Sequence, residues 1–85
     1  MKLIFAEEAW DDYLYWQAHD KRLITRINQL ITATMREPFS GIGKPEALKH
    51  ALSGFWSRRI TDEHRMVYRV EKDALLIAQV RFHYK

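Results

Sequence analysis

Arg59, Arg65, Arg69, Arg81 and His83 all fall at odd positions in the second half of an 85-residue chain, downstream of a carboxylate at Glu46. Alternate residues of a strand share one face, so a sheet built from this half gathers those cations on one side. Like charges opposed across strands cost up to roughly 1 kcal/mol per pair, a repulsion that a bound anion relieves. The plainer reading is a solvated face with scattered ion pairs to Glu71 or Asp62. If the stretch Lys44-Pro45-Glu46-Ala47-Leu48-Lys49-His50 borders the same face, a carboxylate and an imidazole flank an arginine pocket. Cleavage of RNA by internal transesterification needs such a set. A base takes the proton of a ribose 2′-hydroxyl, an acid protonates the departing 5′-oxygen, and cations hold the charge growing on the phosphate. That chemistry requires no metal. Metal ligation is the competing use, but His50, His64 and His83 show no HExxH or other ligand spacing, and neighbouring arginines oppose a cation.

The elements that must position these groups change period along the chain. Segments 55–61, 65–71 and 75–83 alternate as three strands, joined by polar turns around Asp62-Glu63-His64 and Lys72-Asp73-Ala74, which predicts an antiparallel meander. Three-residue turns pair Thr61 with Arg65 and Glu71 with Leu75, keeping odd numbers together. The even face then holds Trp56, Ile60, Met66, Tyr68, Val70, Leu76, Ala78, Val80 and Phe82 against the helices, with Arg58 discordant. The odd face holds the arginines and His83, with Phe55, Val67, Leu75 and Ile77 as its apolar members. Two-residue turns would scramble this partition, so the hydrophobic pattern favours the longer ones.

The first half supplies the covering layer. Residues 1–5 read as a short strand, and acids at Glu7, Glu8, Asp11 and Asp12 crowd the start of a helix whose Ala9, Trp10, Tyr13, Trp16 and Gln17 recur at helical spacing. Trp and Tyr in that pattern are assigned to packing. Asp20 is placed to cap a second helix, with Leu23, Ile24, Ile27, Leu30, Ile31 and Thr34 on one stripe and Pro38 as the stop. Residues 38–45 form a loop. Its Gly41-Ile42-Gly43-Lys44 is too short for a phosphate-binding P-loop and lacks the Ser/Thr, so nucleotide binding is rejected there.

Length and composition bound the rest. Eighty-five residues, 47% of them hydrophobic, with three Gly and two Pro, predict a single domain over 1–85 with a small packed core rather than disorder. The absence of cysteine removes disulfides, thiolate metal sites and cysteine nucleophiles and suits a reducing cytoplasm. No apolar run is long enough to span a bilayer, and the N-terminus is unlike a signal peptide. Residues 1–43 carry five Lys/Arg against six Asp/Glu, whereas 44–85 carry nine against five. The basic character is therefore C-terminal and fits a polyanionic partner.

Asp11-Asp12-Tyr13, Lys44-Pro45-Glu46, Leu48-Lys49, the run Leu52-Ser53-Gly54-Phe55-Trp56-Ser57-Arg58-Arg59-Ile60, Glu63-His64-Arg65 and the closing His83-Tyr84 resemble, in order and spacing, the YoeB-type toxins of the RelE/ParE superfamily. The resemblance runs nearly end to end. It implies a RelE-like, microbial ribonuclease-like α+β fold, with a short N-terminal strand and two helices packed on one face of a mainly antiparallel twisted sheet. It also implies a cytoplasmic toxin of a type II toxin–antitoxin pair, a ribosome-dependent endoribonuclease that cuts translated mRNA in the A site and thereby inhibits translation. By position, Glu46 corresponds to the general base and His83 to the general acid. Arg65 and Arg59 correspond to groups stabilising the phosphorane-like charge, Lys49 to a phosphate contact and Tyr84 to a residue that stacks on or orients a base. The implied partners are a YefM-like antitoxin, the bacterial 70S ribosome with its mRNA, and a second copy in a homodimer, with no cofactor and no membrane. Lys85 departs from the pattern by following a Tyr that commonly ends such chains. Two other functions share these residues: a non-catalytic RNA- or ribosome-binding module, in which Glu46 is incidental, and a ParE-like gyrase inhibitor, which does not need the Glu–His pair.

Overall fold

Helix starts and stops follow from a few residues. The computed structural model describes residues 1–83, so Tyr84 and Lys85 lie outside the described residues. After strand β1 (Lys2–Phe5), helix α1 (Glu7–His19) begins with Glu7 and Glu8 in its first turn, where the helix dipole favours negative charge. Asp20 both ends α1 and starts α2 (Lys21–Arg36). Its backbone N–H donates to the Trp16 carbonyl, while its Oδ1 accepts from the N–H groups of Arg22 and Leu23, each at 3.1 Å. Helix α2 stops because Glu37 precedes Pro38, a position from which the helical region is disfavoured.

The remaining strands are β2 (Glu46–Ala47), β3 (Trp56–Arg59), β4 (Arg65–Glu71) and β5 (Ala74–Gln79), with a single 3-10 turn at His50–Leu52 between β2 and β3. They form one five-stranded sheet in the order β1-β5-β4-β3-β2, antiparallel except where β1 runs parallel to β5. Ile27, Leu30 and Ile31 of α2 and Ala9 and Trp16 of α1 form one core with Ile60, Met66, Tyr68, Leu75, Ile77 and Val80 of the sheet side. The α+β architecture expected from the sequence is the one observed. Trp10 departs from the packing assignment: it is 47% exposed and stacks on Tyr13 at 5.6 Å, with the rings 8° apart.

Register is where the pattern misled. Arg59, not Thr61, lies opposite Arg65. The five-residue loop between them is closed by the Ile60 and Thr61 N–H groups on the His64 carbonyl and by the Thr61 hydroxyl, which accepts from the Glu63 and His64 N–H groups. This two-residue slip preserves parity, so Ser57, Arg59, Arg65 and Val67 still share a face. The second turn has two residues, pairing Glu71 with Ala74, and a β-bulge opposite Val67/Tyr68 restores odd-to-odd pairing at Val67 and Gln79. A bulge inserts one unpaired residue, here Ala78. As a result, Leu75 and Ile77 enter the core from what alternation assigned to the odd face, and Val80 still enters it after the bulge. Phe82, expected inside, is 55% exposed and has φ +64°.

Arg58, discordant by pattern, is fully buried. Its guanidinium donates from Nη2 to the carbonyls of Glu37 (2.5 Å) and Ser40 (2.8 Å), from Nη1 to that of Ile42 (2.9 Å), and from Nε to the Tyr68 hydroxyl (3.3 Å). The hydroxyl in turn donates to the Pro38 carbonyl at 2.6 Å. Burial pushes the Tyr68 phenol up, against the hydrogen bond and charge of Arg58. The 37–42 loop is therefore held by three bonds from one side chain of β3 and by a fourth from Tyr68 of β4. Gly43 completes the joint: its carbonyl accepts from Arg59 N–H at 2.7 Å, its φ is +83°, and a Cβ there would stand 2.7 Å from Leu30 Cδ2. Gly43→Ala should cost at least about 2 kcal/mol in urea unfolding, combining a left-handed backbone with overpacking against a buried leucine. A loss well below that would show that α2 yields at this contact.

Candidate active site

The open side of the sheet carries a cleft of about 300 Å³ lined by Lys44, Glu46, Ser57, Arg59, Arg65 and His83. Each wall has a local cause. Glu46 sits on the two-residue strand β2, directly opposite Ser57, which places its carboxylate beside the odd face of β3. The chain reaches that edge because the Arg58-anchored loop delivers it there. Arg59 and Arg65 are cross-strand partners, two like charges opposed at the end of a hairpin, the unfavourable arrangement that an anion relieves.

Arg65 is nearly buried and its guanidinium is aimed. Nη1 donates to the carbonyls of Thr61 (2.6 Å), Asp62 (3.0 Å) and His64 (3.1 Å). The turn thus holds the cation at the cleft by its backbone rather than by a carboxylate, which leaves the positive charge unneutralised by that contact. His83 arrives from beyond the end of β5, and Gln79 Nε2 donates to the carbonyls of Arg81 (2.9 Å), Phe82 (3.4 Å) and His83 (3.3 Å). Groups from β2, β3, β4 and the segment after β5 therefore share one cavity.

Not every expected residue converges. Lys49 lines a neighbouring groove of about 520 Å³ with Glu46, Leu48 and His50, so Glu46 is the wall between groove and cleft. Tyr84 lies outside the described residues. Arg69 is turned away, paired with Glu71 at 3.0 Å and lying over the Phe55 ring. Arg81 leaves the cluster too: its guanidinium lies 3.6 Å from the Tyr15 ring centre and 4.5 Å from that of Phe82. The four arginines expected together thus divide, two at the cleft and two elsewhere: Arg69 is held farther along β4 by Glu71 and Phe55, and Arg81, past the bulge, is held by aromatic rings. Lys44 and Ser57 are cleft residues that sequence reasoning did not single out. For Lys44 its place beside Glu46 was a usable signal; for Ser57 parity alone was, since it shares the odd face with Arg59.

Helix α1 supports the last cleft wall from behind. Asp12 Oδ2 accepts the Val80 N–H at 3.3 Å, and Trp16 Nε1 donates to the Val80 carbonyl at 2.9 Å. Burial raises the Asp12 carboxyl above its ordinary 3.8; the Val80 hydrogen bond opposes this, the Glu8 and Asp11 charges add to it, and Arg81 opposes it. A raised native value means that the folded state holds its proton longer, so this group costs stability as pH climbs through that value. Asp12→Asn keeps an acceptor for Val80 N–H and removes the charge. Its stability relative to the parent protein should therefore improve from acid to neutral pH in paired urea titrations, whereas Asp12→Ala should lose about 1 kcal/mol with the hydrogen bond. A pH-independent difference for Asp12→Asn would contradict this account.

A family model described as YoeB-like toxin of bacterial type II toxin–antitoxin systems matches residues 5–84. Toxin YoeB of Escherichia coli K12 is 68% identical over 84 residues, covering 99% of this chain and all of that protein. The solved YoeB/ParE toxin from Agrobacterium tumefaciens superposes with a TM-score of 0.97 at 52% identity, covering 99% of this chain and 100% of the other. The toxin in a heterotetrameric YoeB–YefM toxin–antitoxin complex from Staphylococcus aureus superposes at 0.91 with 42% identity, covering 99% and 98%.

Proposed function

Since the chain belongs to the YoeB-like toxins of bacterial type II toxin–antitoxin systems, we propose that it is an endoribonuclease that cuts mRNA in the ribosomal A site by metal-independent acid–base transesterification. The observation that supports this reading most directly is the sharing of one cleft by Glu46, Arg59, Arg65 and His83. A carboxylate, an imidazole and two guanidiniums around a cavity of nucleotide scale form the set that phosphodiester cleavage demands.

In this reading Glu46 accepts the proton of the ribose 2′-hydroxyl, and the freed oxygen attacks the adjacent phosphorus. The bond to the 5′-oxygen breaks as the imidazolium of His83 gives that oxygen its proton, leaving a 2′,3′-cyclic phosphate and a 5′-hydroxyl. Arg59 and Arg65 stabilise the negative charge that grows on the non-bridging oxygens. Lys49, across Glu46 from the cleft, holds a neighbouring phosphate, and Tyr84 orients a base. In-line attack needs a bent strand, and such fixing is worth roughly 7 to 11 kcal/mol in favourable cases, which a ribosome can provide and free RNA cannot.

The same cleft suits an acidic segment of a YefM-like antitoxin, which would neutralise the arginines and occupy the place of the phosphate. A cytoplasmic location, a single catalytic domain over 1–85 and a homodimer complete the proposal. The test maps 5′ ends of a defined mRNA incubated with purified protein, with and without translating ribosomes. Ribosome-dependent cuts within the A-site codon that vanish in His83→Ala are expected. Ribosome binding without cuts would replace this reading with that of a non-catalytic binding module.

A further inference from the structure

Beyond Gln79, where β5 ends, the segment that carries His83 leaves the regular ladder, and side chains supply most of its backbone partners. Buried backbone groups need partners, and residues 80 and 82 obtain theirs from two directions. Val80 is gripped by Asp12 and Trp16 of α1. Phe82 is gripped where the β3–β4 turn meets β4: its carbonyl accepts the Arg65 N–H at 2.9 Å, and its own N–H donates to His64 Nδ1 at 2.7 Å. Phe82 adopts φ +64°, a backbone region that a residue with a side chain occupies only when its surroundings enforce it. The two hydrogen bonds to consecutive residues, the last of the turn and the first of β4, are that enforcement.

The His64 ring is itself held. It meets the Trp16 ring edge-on at 4.9 Å and leans on Phe82 at 5.9 Å. Accepting an amide N–H requires a bare Nδ1, so the ring carries its proton on Nε2. We propose that His64 is a positioning residue: by holding the Phe82 N–H it turns the chain so that His83 enters the cleft at a set distance from Arg65. Its consequence for rate rests on the ribonuclease reading above, while its geometry does not. Because His64 and Arg65 are adjacent, one turn aims the phosphate-binding cation and also fixes the approach of the proton donor, 19 residues after His64. A misplacement of the order of 1 Å between such groups can cost roughly a hundredfold in rate.

Two substitutions in the full chain separate this role from packing. His64→Phe keeps a ring against Trp16 and Phe82 but has no acceptor, and His64→Asn offers Oδ1 near the position of Nδ1. In 15N-labelled protein a scalar coupling across the hydrogen bond should link the Phe82 amide nitrogen to His64 Nδ1. The His83 ring resonances should shift in His64→Phe and return toward the parent positions in His64→Asn. On ribosomes His64→Phe should cut at a saturating rate lowered roughly ten- to a hundredfold, with the half-saturating toxin concentration unchanged and most of the rate recovered in His64→Asn. Absence of the coupling, unmoved His83 resonances in folded His64→Phe, or cutting at the parent rate would each overturn the proposal. A parent protein that shows the coupling but cuts no mRNA overturns the ribonuclease reading alone, and the resonances then decide the positioning role. If His64→Phe does not fold, His64→Leu, which also lacks an acceptor, takes its place, and unmoved His83 resonances in it overturn the proposal.

Discussion

Glu46→Gln should lower ribosome-dependent mRNA cleavage by roughly a hundred- to ten-thousand-fold, the range expected when a positioned general base is removed, while leaving ribosome binding nearly unchanged. Gln is close in size and keeps a carbonyl oxygen, but it cannot take the 2′-hydroxyl proton. The β2 position opposite Ser57 does not depend on the charge, so the fold should survive and the loss should appear in the rate at saturation. Arg65→Ala is expected to reach a similar loss by a different route. It deletes a cation from the cleft and frees the three turn carbonyls that Nη1 now holds, so part of its effect is a loosened turn. Lys49→Ala, in the adjacent groove, should instead weaken ribosome affinity and reduce its salt dependence by about one counterion's worth. If Glu46→Gln cuts within threefold of the parent rate, about 0.65 kcal/mol on the tenfold-per-1.36 scale, Glu46 is not the base.

The second large effect lies outside the cleft. Arg58→Met should destabilise the protein by about 3 kcal/mol or more, because a buried cation with three carbonyl partners and a phenol is replaced by a side chain that satisfies none of them. Differential scanning calorimetry should show a melting temperature lower by roughly 12 to 24 °C, at about 4 to 8 °C per kcal/mol for a domain of this size. The 37–42 loop leads into β2, so surviving folded protein should also cut slowly, with Glu46 no longer held at the sheet edge. A melting temperature within a few degrees of the parent would mean that water replaces the guanidinium at no cost. The loop would then be self-supporting.

Arg58 also shows what a discordant residue in a pattern can signal. Alternation placed it on the helix-facing side and marked it as discordant; the placement was right, and the discordance was the signal of a function in folding. A buried arginine among apolar residues must find acceptors, and the 37–42 loop supplies them. Leu75 and Ile77 carried a similar signal. As apolar members of an otherwise charged face they hinted that the strand changes phase, which the two-residue turn and the bulge at Ala78 accomplish. Period-2 reading assumes a three-residue turn and an unbroken strand, so the two-residue turn reverses every assignment from Ala74 to the bulge, where the inserted residue restores it. The helices were more legible because Asp20, Pro38 and the stripe of Ile27, Leu30, Ile31 and Thr34 act within a few residues of chain.

What the sequence by itself determined were the local elements, the C-terminal concentration of basic charge, and the residue types needed for phosphodiester chemistry, since periodicity, capping and charge are properties of short segments. Its long motif match also carried the family. The tertiary structure decided which cations meet Glu46. Arg59 and Arg65 do so through hairpin register, whereas Arg69 and Arg81 are drawn away by Glu71 and by the rings of Tyr15 and Phe82. It also decided that His83 reaches the cleft by way of a left-handed Phe82 held by His64 and Arg65. These outcomes depend on hydrogen bonds between groups far apart in the chain, whose directions exist only once sheet, turn and helix are packed together.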